Sequence, residues 1–315
     1  MSRRMLFAPL WALFLLTGAQ RMPAQSVAFT FDDGPKLEST PRLSPQARNE
    51  AMLAALKRHG VRAALLVTLG NGADRPEGLA LARAWGEAGH FIGNHTVTHP
   101  DLNAQATTLA HYTADIQACD AVIRTLPGFR PWFRFPYLRE GNTPEKRDGI
   151  RAFLRDRGLR NASVTLDTSD WRLDGALKLV LKARLGADLA PLRKVYLAHL
   201  RQRAEAYRDL SRRLFGRDIP QVILLHHSLL NALFLEDVLA QFEAMGWTFT
   251  DPEKAYQDFV YTLDPQRPAP GQSLLLSAAR SLGYRVEGWA RLVDDGDAEM
   301  AALHAEGVLR PDEQP

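Results

Sequence analysis

Short, mostly apolar runs alternate along the chain with longer segments in which apolar residues recur every three or four positions. Apolar runs of four to eight residues bounded by turn residues are typical of buried strands, and the longer period is typical of helices. The runs predicted as strands are 27–31, 61–68, 90–94, 132–135, 162–166, 222–225 and 247–250. The segments predicted as helices are 47–59, 76–88, 104–126, 144–157 and 231–245.

Proline and glycine support several of these helix boundaries. Segment 76–88 begins at Pro76 and is followed by Gly89, and segment 47–59 is followed by Gly60. Proline is favoured in the first helical turn and glycine just after the last one. Strands that alternate with helices predict an α/β fold with a parallel sheet wrapped by helices, and seven strands predict a barrel or near-barrel.

Two stretches break the alternation. Residues 172–220 are rich in Leu, Ala and Arg with a helical period, which predicts an inserted helical segment of two or three helices outside the barrel. A Pro-rich linker at 264–271 leads to further helical patterns near the end of the chain. We therefore expect a barrel domain over 25–262 and a helical C-terminal extension over 263–315 that packs on the barrel without catalytic residues.

The composition indicates a globular protein with a full core. Of the 315 residues, 46% are hydrophobic and 24% are charged, which excludes a disordered chain. Lys and Arg number 39 against 36 Asp and Glu, and the net charge of +3 comes without a basic tract, so nothing predicts nucleic-acid binding. Cys119 is the only cysteine, which excludes an internal disulfide, and its helical pattern predicts a buried side chain.

The first residues have the pattern of a secretory signal peptide. Arg3 and Arg4 precede an apolar stretch at 5–16, and small residues follow at 17–19. Such a stretch is shorter than the roughly 20 residues of a membrane-spanning helix. We predict a signal peptide over 1–24 and an exported, periplasmic or extracellular mature chain without a membrane span. An uncleaved membrane anchor is the alternative, since the cleavage site is not a clean Ala-x-Ala.

Two adjacent carboxylates end the first predicted strand. Asp32 and Asp33 stand in the sequence TFDDGP at 30–35, where a sharp turn holds paired negative charge. Downstream, His95 and His99 are four residues apart, could meet on one face of a helical turn and, with one carboxylate, make a three-ligand site for a divalent metal. The other carboxylate would then be free to act as a base. The alternatives are a solvated turn and structural or capping histidines.

Other polar residues also fall at the ends of predicted strands. Arg134 lies in the fourth, Asp167 and Asp170 follow the fifth, and His226 follows the sixth. In α/β barrels the active site lies where strands end, so we expect these residues to converge. Each has an ordinary alternative: Arg134 as a strand-edge side chain, Asp170 as a helix cap and His226 as a core histidine.

Five motifs together resemble those of the polysaccharide deacetylases, the NodB-homology or carbohydrate esterase 4 family, from about residue 27 to about residue 250. They are TFDDGP at 30–35, HTVTH at 95–99, RFPY at 134–137, DTSDW at 167–171 and LLH at 224–226. Any one of them alone would be a weak signal, whereas five in the family's order are specific.

The resemblance implies a distorted (β/α)7 barrel that removes N-acetyl groups from the amino sugars of a glycan with the help of a metal. Carried over by position, Asp33, His95 and His99 would bind a divalent ion, preferably zinc, with cobalt, nickel or manganese as alternatives. Asp32 would be the general base and His226 the general acid.

The resemblance also implies roles for residues around these five. Tyr137 would offer its backbone N–H to the oxyanion, Trp171 would wall the acetyl pocket, and Arg134 and Asp170 would orient and tune Asp32 and His226 respectively.

The chain departs from the family's pattern in two places. LREG at 138–141 stands where the family more often has Gly directly after the tyrosine, so Arg139 and Glu140 could contact substrate. His227 stands where an Asp is more usual, and we expect His226 to be the acid because it fits the end of the predicted strand better.

The leading hypothesis is an exported deacetylase whose partner is a peptidoglycan, chitin-like or poly-N-acetylglucosamine glycan. The alternatives are an O-acetyl esterase on xylan with the same site, a non-catalytic glycan-binding protein, and a cyclic amide hydrolase on a related barrel.

Overall fold

Eight strands form one parallel sheet in the part of the chain that the structure, a computed structural model, describes: residues 24–266, 271–285, 297–310 and 313. The strands are β1 (Ser26–Gly34), β2 (Ala64–Val67), β3 (Phe91–Asn94), β4 (Phe129–Phe133), β5 (Arg160–Asn161), β6 (Leu166–Asp167), β7 (Gln221–His226) and β8 (Thr248–Phe249). Their order across the sheet is β5-β4-β3-β2-β1-β7-β6, with β8 beside β1. Every pair of neighbours is parallel.

Helices connect the strands and cover the sheet. The α-helices in the described ranges are α1 (Pro45–Arg58), α2 (Pro76–Glu87), α3 (Leu109–Ile123), α4 (Pro144–Asp156), α5 (Asp170–Ala183), α6 (Ala190–Phe215), α7 (Leu229–Ala244), α8 (Pro252–Ala255), α9 (Leu274–Ser281) and α10 (Asp297–Ala305). Short 3-10 turns occur at Leu69–Asn71, Pro136–Leu138 and Phe259–Thr262. The alternation confirms the α/β class and the curled, barrel-like sheet expected from the sequence.

The predicted fifth strand at 162–166 is wrong. β5 ends at Asn161 and β6 begins at Leu166, so the chain between them leaves the sheet, and no ladder joins β5 to β6 in the described residues. The carbonyls in this gap bind other groups: Ala162 O accepts from Arg134 Nε at 2.8 Å, and Val164 O accepts from Leu274 N at 2.7 Å. The sheet is therefore a barrel that stays open between β5 and β6.

Most helix predictions agree with the structure within a few residues, and α3 shows why one did not. The predicted helix 104–126 begins only at Leu109, because Thr108 caps it by accepting a hydrogen bond from His111 N at 3.2 Å. Threonine in extended conformation is a favoured helix N-cap.

The predicted insertion at 172–220 contains two helices, α5 and α6, and neither lies apart from the barrel. The first begins already at Asp170, packs on β7 and α7, and buries Leu177 completely. The second packs on β6 and α7 and buries Tyr196 completely. Both helices are thus part of the layer that covers the sheet.

The C-terminal extension fills the open side of the barrel. Besides the bond from Leu274 N to Val164 O, an ion pair joins Arg151 Nη1 to Asp264 Oδ1 at 2.6 Å, and Arg147 Nη1 donates to Gln266 O at 2.7 Å. Parts of this prediction lie outside the described residues: 267–270 of the predicted linker and 286–296 before α10. Residues 1–23 of the predicted signal peptide also lie outside them.

The core of the molecule lies around β1 and β7. Phe29 and Phe31 of β1 are fully buried, and so is Cys119, which confirms the prediction of a buried thiol. No helix in the described ranges has the length and apolarity that crossing a membrane requires. The register of the sheet pairs Asp32 with His226 and Val67 with Asn94, so the loops that follow β1, β2, β3 and β7 meet at one edge.

Candidate active site

A cavity of about 640 Å³ opens at the carboxyl edge of the sheet. The predicted site residues that line it are Asp32, Asp33, His95, His99, Tyr137, Arg139, Trp171 and His226. The remaining two, Arg134 and Asp170, are fully buried and contact Asp32 and His226. The structure therefore brings all ten predicted residues to one place.

Three of these side chains can reach a common metal ion. One ligand atom from each of Asp33, His95 and His99 lies within 4.8 Å of the others. Asp33 Oδ1 is 3.6 Å from His95 Nε2 and 3.3 Å from His99 Nε2. Two imidazoles and one carboxylate are a common donor set for zinc and leave coordination positions open.

The protonation states of these side chains suit a cation. Asp33 Oδ1 is buried and has no hydrogen-bond partner among the described residues. A bound cation would supply the missing partner. Burial and the neighbouring His95 lower the pKa of His99 to about 4, so its ring is neutral at pH 7. His95 Nδ1 donates to Arg134 O at 2.9 Å, which leaves the lone pair on Nε2 directed at the site.

The two histidines lie on a loop, so the expected helical turn is wrong. Residues 95–99 follow β3 without helical structure, and Thr96 and His99 have positive φ angles of 74° and 55°. Side chains stabilise this backbone: Asn94 Oδ1 accepts from Thr96 N at 2.8 Å, and Thr96 Oγ1 accepts from His99 N at 3.0 Å. Asp115 of α3 accepts from Val97 N at 2.5 Å and from Thr98 Oγ1 at 2.6 Å.

Asp33 is held in a similarly unusual conformation. Its φ is 65°, in the left-handed region that non-glycine residues rarely adopt outside turns and functional sites. Asn71 Nδ2 donates to Asp33 O at 2.9 Å, and Lys36 Nζ lies 3.3 Å from Asp33 Oδ2. Burial opposes ionisation, but Lys36 and the surrounding histidines lower the pKa of Asp33 well below its ordinary value. The carboxylate is therefore ionised.

Asp32 points into the cavity from a fully buried support. Arg134 Nη1 donates to Asp32 Oδ1 at 2.5 Å and to Thr30 Oγ1 at 2.9 Å. Tyr256 OH lies 3.4 Å from Arg134 Nη2. Asp32 Oδ2, which Arg134 does not bind, is 3.8 Å from His95 Nε2. One carboxylate oxygen is thus fixed by Arg134 while the other faces the three candidate ligands.

His226 is paired with Asp170 on the other side of the cavity. Its Nδ1 donates to Asp170 Oδ1 at 2.6 Å, and its backbone N donates to Asp170 Oδ2 at 2.9 Å. Asn231 Nδ2 also donates to Asp170 Oδ2, at 2.7 Å. Burial disfavours the charged ring, but the Asp170 carboxylate outweighs it and raises the pKa of His226 to about 9. The ring is protonated at pH 7 and its Nε2–H is not used by Asp170.

His227 does not line this cavity. It is fully buried, its Nε2 donates to Asn49 Oδ1 at 3.1 Å, and its ring lies 6.2 Å from that of Trp85. Burial and the nearby Arg48 lower its pKa to about 3. The alternation of side chains along a strand sends neighbours to opposite faces, which separates these two histidines.

Exposed aromatic residues border the opening. Tyr137 is 51% exposed, has a φ of 56° and packs edge-on against His99 with ring centroids 4.6 Å apart. Trp171 is 46% exposed, in the first turn of α5. Arg139 forms an ion pair with Asp101 and lies over the Tyr137 ring at 5.4 Å. Glu140 is paired with Arg151 at 2.6 Å.

Sequence reasoning missed several residues that support or line the site. Asp115 and Asn231 are buried polar residues inside helices. A polar residue at a core position of a helical pattern is the sequence feature that could have identified them, because a buried polar group needs a hydrogen-bond partner. Gly271 and Gln272 of the C-terminal extension also line the cavity. The extension therefore forms part of the cavity wall in addition to packing on the barrel.

Fold and site together define an α/β barrel with a candidate metal centre of the kind used in hydrolysis. The model of the polysaccharide deacetylase family matches residues 19–153. This match contains three of the five motifs, at 30–35, 95–99 and 134–137.

Two relatives illustrate the similarity in sequence. The chain is 32% identical over 147 residues to the peptidoglycan-N-acetylglucosamine deacetylase of Bacillus cereus, and the aligned residues cover 46% of each protein. It is 30% identical over 184 residues to the chitin deacetylase of Colletotrichum lindemuthianum, and this alignment covers 55% of the chain and 66% of that enzyme. The match spans about half the length of the first relative.

Two solved structures share the fold. The catalytic domain of the peptidoglycan N-acetylglucosamine deacetylase from Eubacterium rectale gives a TM-score of 0.52 at 17% identity, over 72% of this chain and 88% of that one. The chitin deacetylase from Colletotrichum lindemuthianum gives 0.51 at 18% identity, over 74% and 87%.

Proposed function

We propose that this chain is a metal-dependent hydrolase that removes N-acetyl groups from the amino sugars of a glycan. The observation that carries the proposal is the arrangement of five side chains in one cavity. The candidate ligands Asp33, His95 and His99 stand together, Asp32 lies beside them, and His226 lies on the neighbouring strand in register with Asp32. The names of the relatives agree with this chemistry and supply the class of substrate.

We assign the divalent ion to Asp33, His95 and His99, and the donor set fits zinc best, with cobalt, nickel or manganese as alternatives. When bound, such an ion activates water and polarises the carbonyl of the acetamido group. The unpartnered Oδ1 of Asp33 and the free Nε2 positions of the histidines support this assignment.

Asp32 is the proposed general base. Arg134 binds and fixes Oδ1, so Oδ2 can take a proton from the attacking water. His226 is the proposed general acid. An amine leaves readily only after protonation, and the Nε2–H of His226 is available because Asp170 holds Nδ1.

The residues at the opening have proposed roles in binding. The backbone N–H of Tyr137 would stabilise the developing oxyanion, a contribution of about 3 to 4 kcal/mol for a well-placed donor. The exposed Trp171 ring would wall the acetyl group. Arg139 would contact the glycan from the same loop as Tyr137.

We also propose export through the signal peptide over residues 1–24, on the sequence pattern alone. Amino-terminal sequencing of protein recovered outside the cytoplasm tests it, and a protein that still begins at Met1 would contradict it.

Release of acetate tests the activity. Metal-loaded protein is incubated with N-acetylglucosamine oligomers, peptidoglycan and acetylated xylan, with and without a chelator. We expect release from the first two, loss with chelator, and a fall of about 100- to 10,000-fold in Asp32→Asn. Faster release from xylan would favour the O-acetyl esterase, and glycan binding without any release would favour a non-catalytic glycan-binding protein.

A further inference from the structure

The cavity wall contains buried polar atoms that the proposed chemistry does not use. Four buried side-chain atoms of its lining residues have no hydrogen-bond partner in the described part of the chain: Asp33 Oδ1, Arg139 Nε, Arg172 Nε and Gln272 Oε1. A bound metal ion would account for the first. The other three are polar atoms of the cavity wall that no described residue satisfies, so they are open to a partner from outside the chain.

Arg172 also brings a charge that no carboxylate in the described part of the chain balances. Arg139 is neutralised by Asp101, whereas no described carboxylate lies within ion-pair distance of Arg172. Its guanidinium lies 4.7 Å from the centroid of the neighbouring Trp171 ring. Stacking on an aromatic face positions an Arg side chain while leaving its N–H groups free to bind an anion.

The acidic groups of the cavity are committed elsewhere. Asp32 is paired with Arg134, and Asp33 faces the two histidines. Asp167 also lines the cavity, and its Oδ1 accepts from Ser169 N at 3.4 Å. The cation of Arg172 is therefore available to a charged group on the substrate.

We infer that the site is built for an acidic glycan, in which Arg172 binds the carboxylate of a sugar next to the N-acetylated sugar. A guanidinium and a carboxylate form paired, charge-assisted hydrogen bonds. Gln272 Oε1 is an acceptor, so it binds a sugar hydroxyl and not the carboxylate. The inference rests on the proposed function for the identity of the glycan and extends it to a charge preference.

A binding experiment tests this preference without catalysis. The metal-free full chain is titrated with two oligomers. In the first, N-acetylglucosamine alternates with a sugar bearing a free lactyl carboxylate. The second is the same oligomer with its carboxylates converted to amides. We expect the acid to bind about tenfold more tightly, the size of one charge-assisted contact. The preference should disappear in Arg172→Gln, persist in part in Arg172→Lys, and be unchanged in Lys182→Gln, an exposed cation of the same helix.

Gln272→Ala separates the two contacts. It should weaken both oligomers equally and leave their ratio unchanged, because its amide contacts a hydroxyl that both carry. Equal affinity of the wild type for acid and amide, or a preference that survives in Arg172→Gln, would overturn the inference.

Acetate release from the same two oligomers keeps the inference and the proposed function apart. No acetate from either, with a preference in binding that depends on Arg172, would refute the deacetylase and leave the acidic ligand standing. Release of acetate from both oligomers at equal kcat/KM would support the deacetylase and refute the preference for an acidic glycan.

Discussion

Arg134 and Asp32 form a buried ion pair in which Nη1 lies 2.5 Å from Oδ1, and the same guanidinium binds Ala162 O in the gap between β5 and β6. The pair thus joins the proposed base to the open side of the barrel. A buried charge that loses its partner is strongly destabilising, because nothing else compensates its desolvation.

Arg134→Ala should therefore damage both stability and activity. We expect the free energy of unfolding to fall by about 3 to 5 kcal/mol, measured by urea denaturation. Arg134→Lys keeps the charge without the planar fork and should recover only part of the loss. An unchanged urea midpoint for Arg134→Ala would show that Asp32 does not depend on this pair.

His226→Ala and His227→Ala should differ in kind. The first removes the proposed acid and should lower kcat by about 100- to 10,000-fold while the protein still binds zinc. The second removes a buried side chain packed near Trp85 and should lower stability by about 1 to 3 kcal/mol, with much of the kcat retained. Steady-state kinetics with thermal denaturation distinguish them, and the reverse pattern would assign the acid to His227.

Asp170→Asn should change the pH dependence. In the wild type the pKa of His226 is raised to about 9, and without the Asp170 carboxylate burial should bring it below the ordinary value of about 6.5. NMR titration of the ring in metal-free protein measures this. The alkaline limb of kcat should move to lower pH in the variant. An alkaline limb at the same pH in both proteins would contradict the role of His226.

The same pair sets a pH dependence of stability. Because folding raises the pKa of His226, the stabilisation is fully present below about pH 6.5 and is lost as the pH rises through about 9. Asp170→Asn should remove this part of the alkaline loss, as urea denaturation at several pH values would show.

Zinc should stabilise the wild type through its three candidate ligands. At a free concentration of about 100 times Kd, the expected gain in the free energy of unfolding is about 2.7 kcal/mol. His99→Ala should lose most of this gain, whereas His111→Ala, an exposed histidine of α3, should keep it. Thermal denaturation with and without zinc is the measurement. A zinc-dependent shift that survives in His99→Ala would place the ion elsewhere.

Asp115→Asn should weaken metal binding although its carboxylate does not contact the metal. Asp115 accepts from the backbone and side chain of the loop that carries His95 and His99, so its loss should loosen their geometry. Removal of such supporting groups lowers metal affinity by about 10- to 100-fold. Isothermal titration with zinc measures it, with Asp156→Asn at an exposed position as the control.

The sequence predicts that the site residues converge, because they lie at the ends of predicted strands. It does not predict the local backbone geometry of the site. In a parallel sheet the carboxyl ends share one edge, so Asp32, His95 and His226 could be expected to meet before their distances were known. The loop after β3 was misjudged as a helical turn, because a spacing of four fits a helix and the sequence does not reveal positive φ at Thr96 and His99. That conformation depends on Asp115, which is distant in sequence.

The predicted fifth strand failed for a related reason. Residues 162–166 have the composition of a buried strand, but the carbonyls of Ala162 and Val164 bind Arg134 and Leu274, and only Leu166 of the five residues lies in a strand. Tertiary partners outweigh the local preference for a strand. The position of Gln272 in the cavity was missed for the same cause, since it depends on where α9 docks.

The hydrogen bond from Leu274 N to Val164 O has a consequence for the order of folding. Ribosomal synthesis delivers the motif residues long before the segment that closes the gap, and a contact of such high sequence separation is slow to form. A nascent chain can therefore bring the candidate site residues together before Gly271 and Gln272 have completed the wall of the cavity.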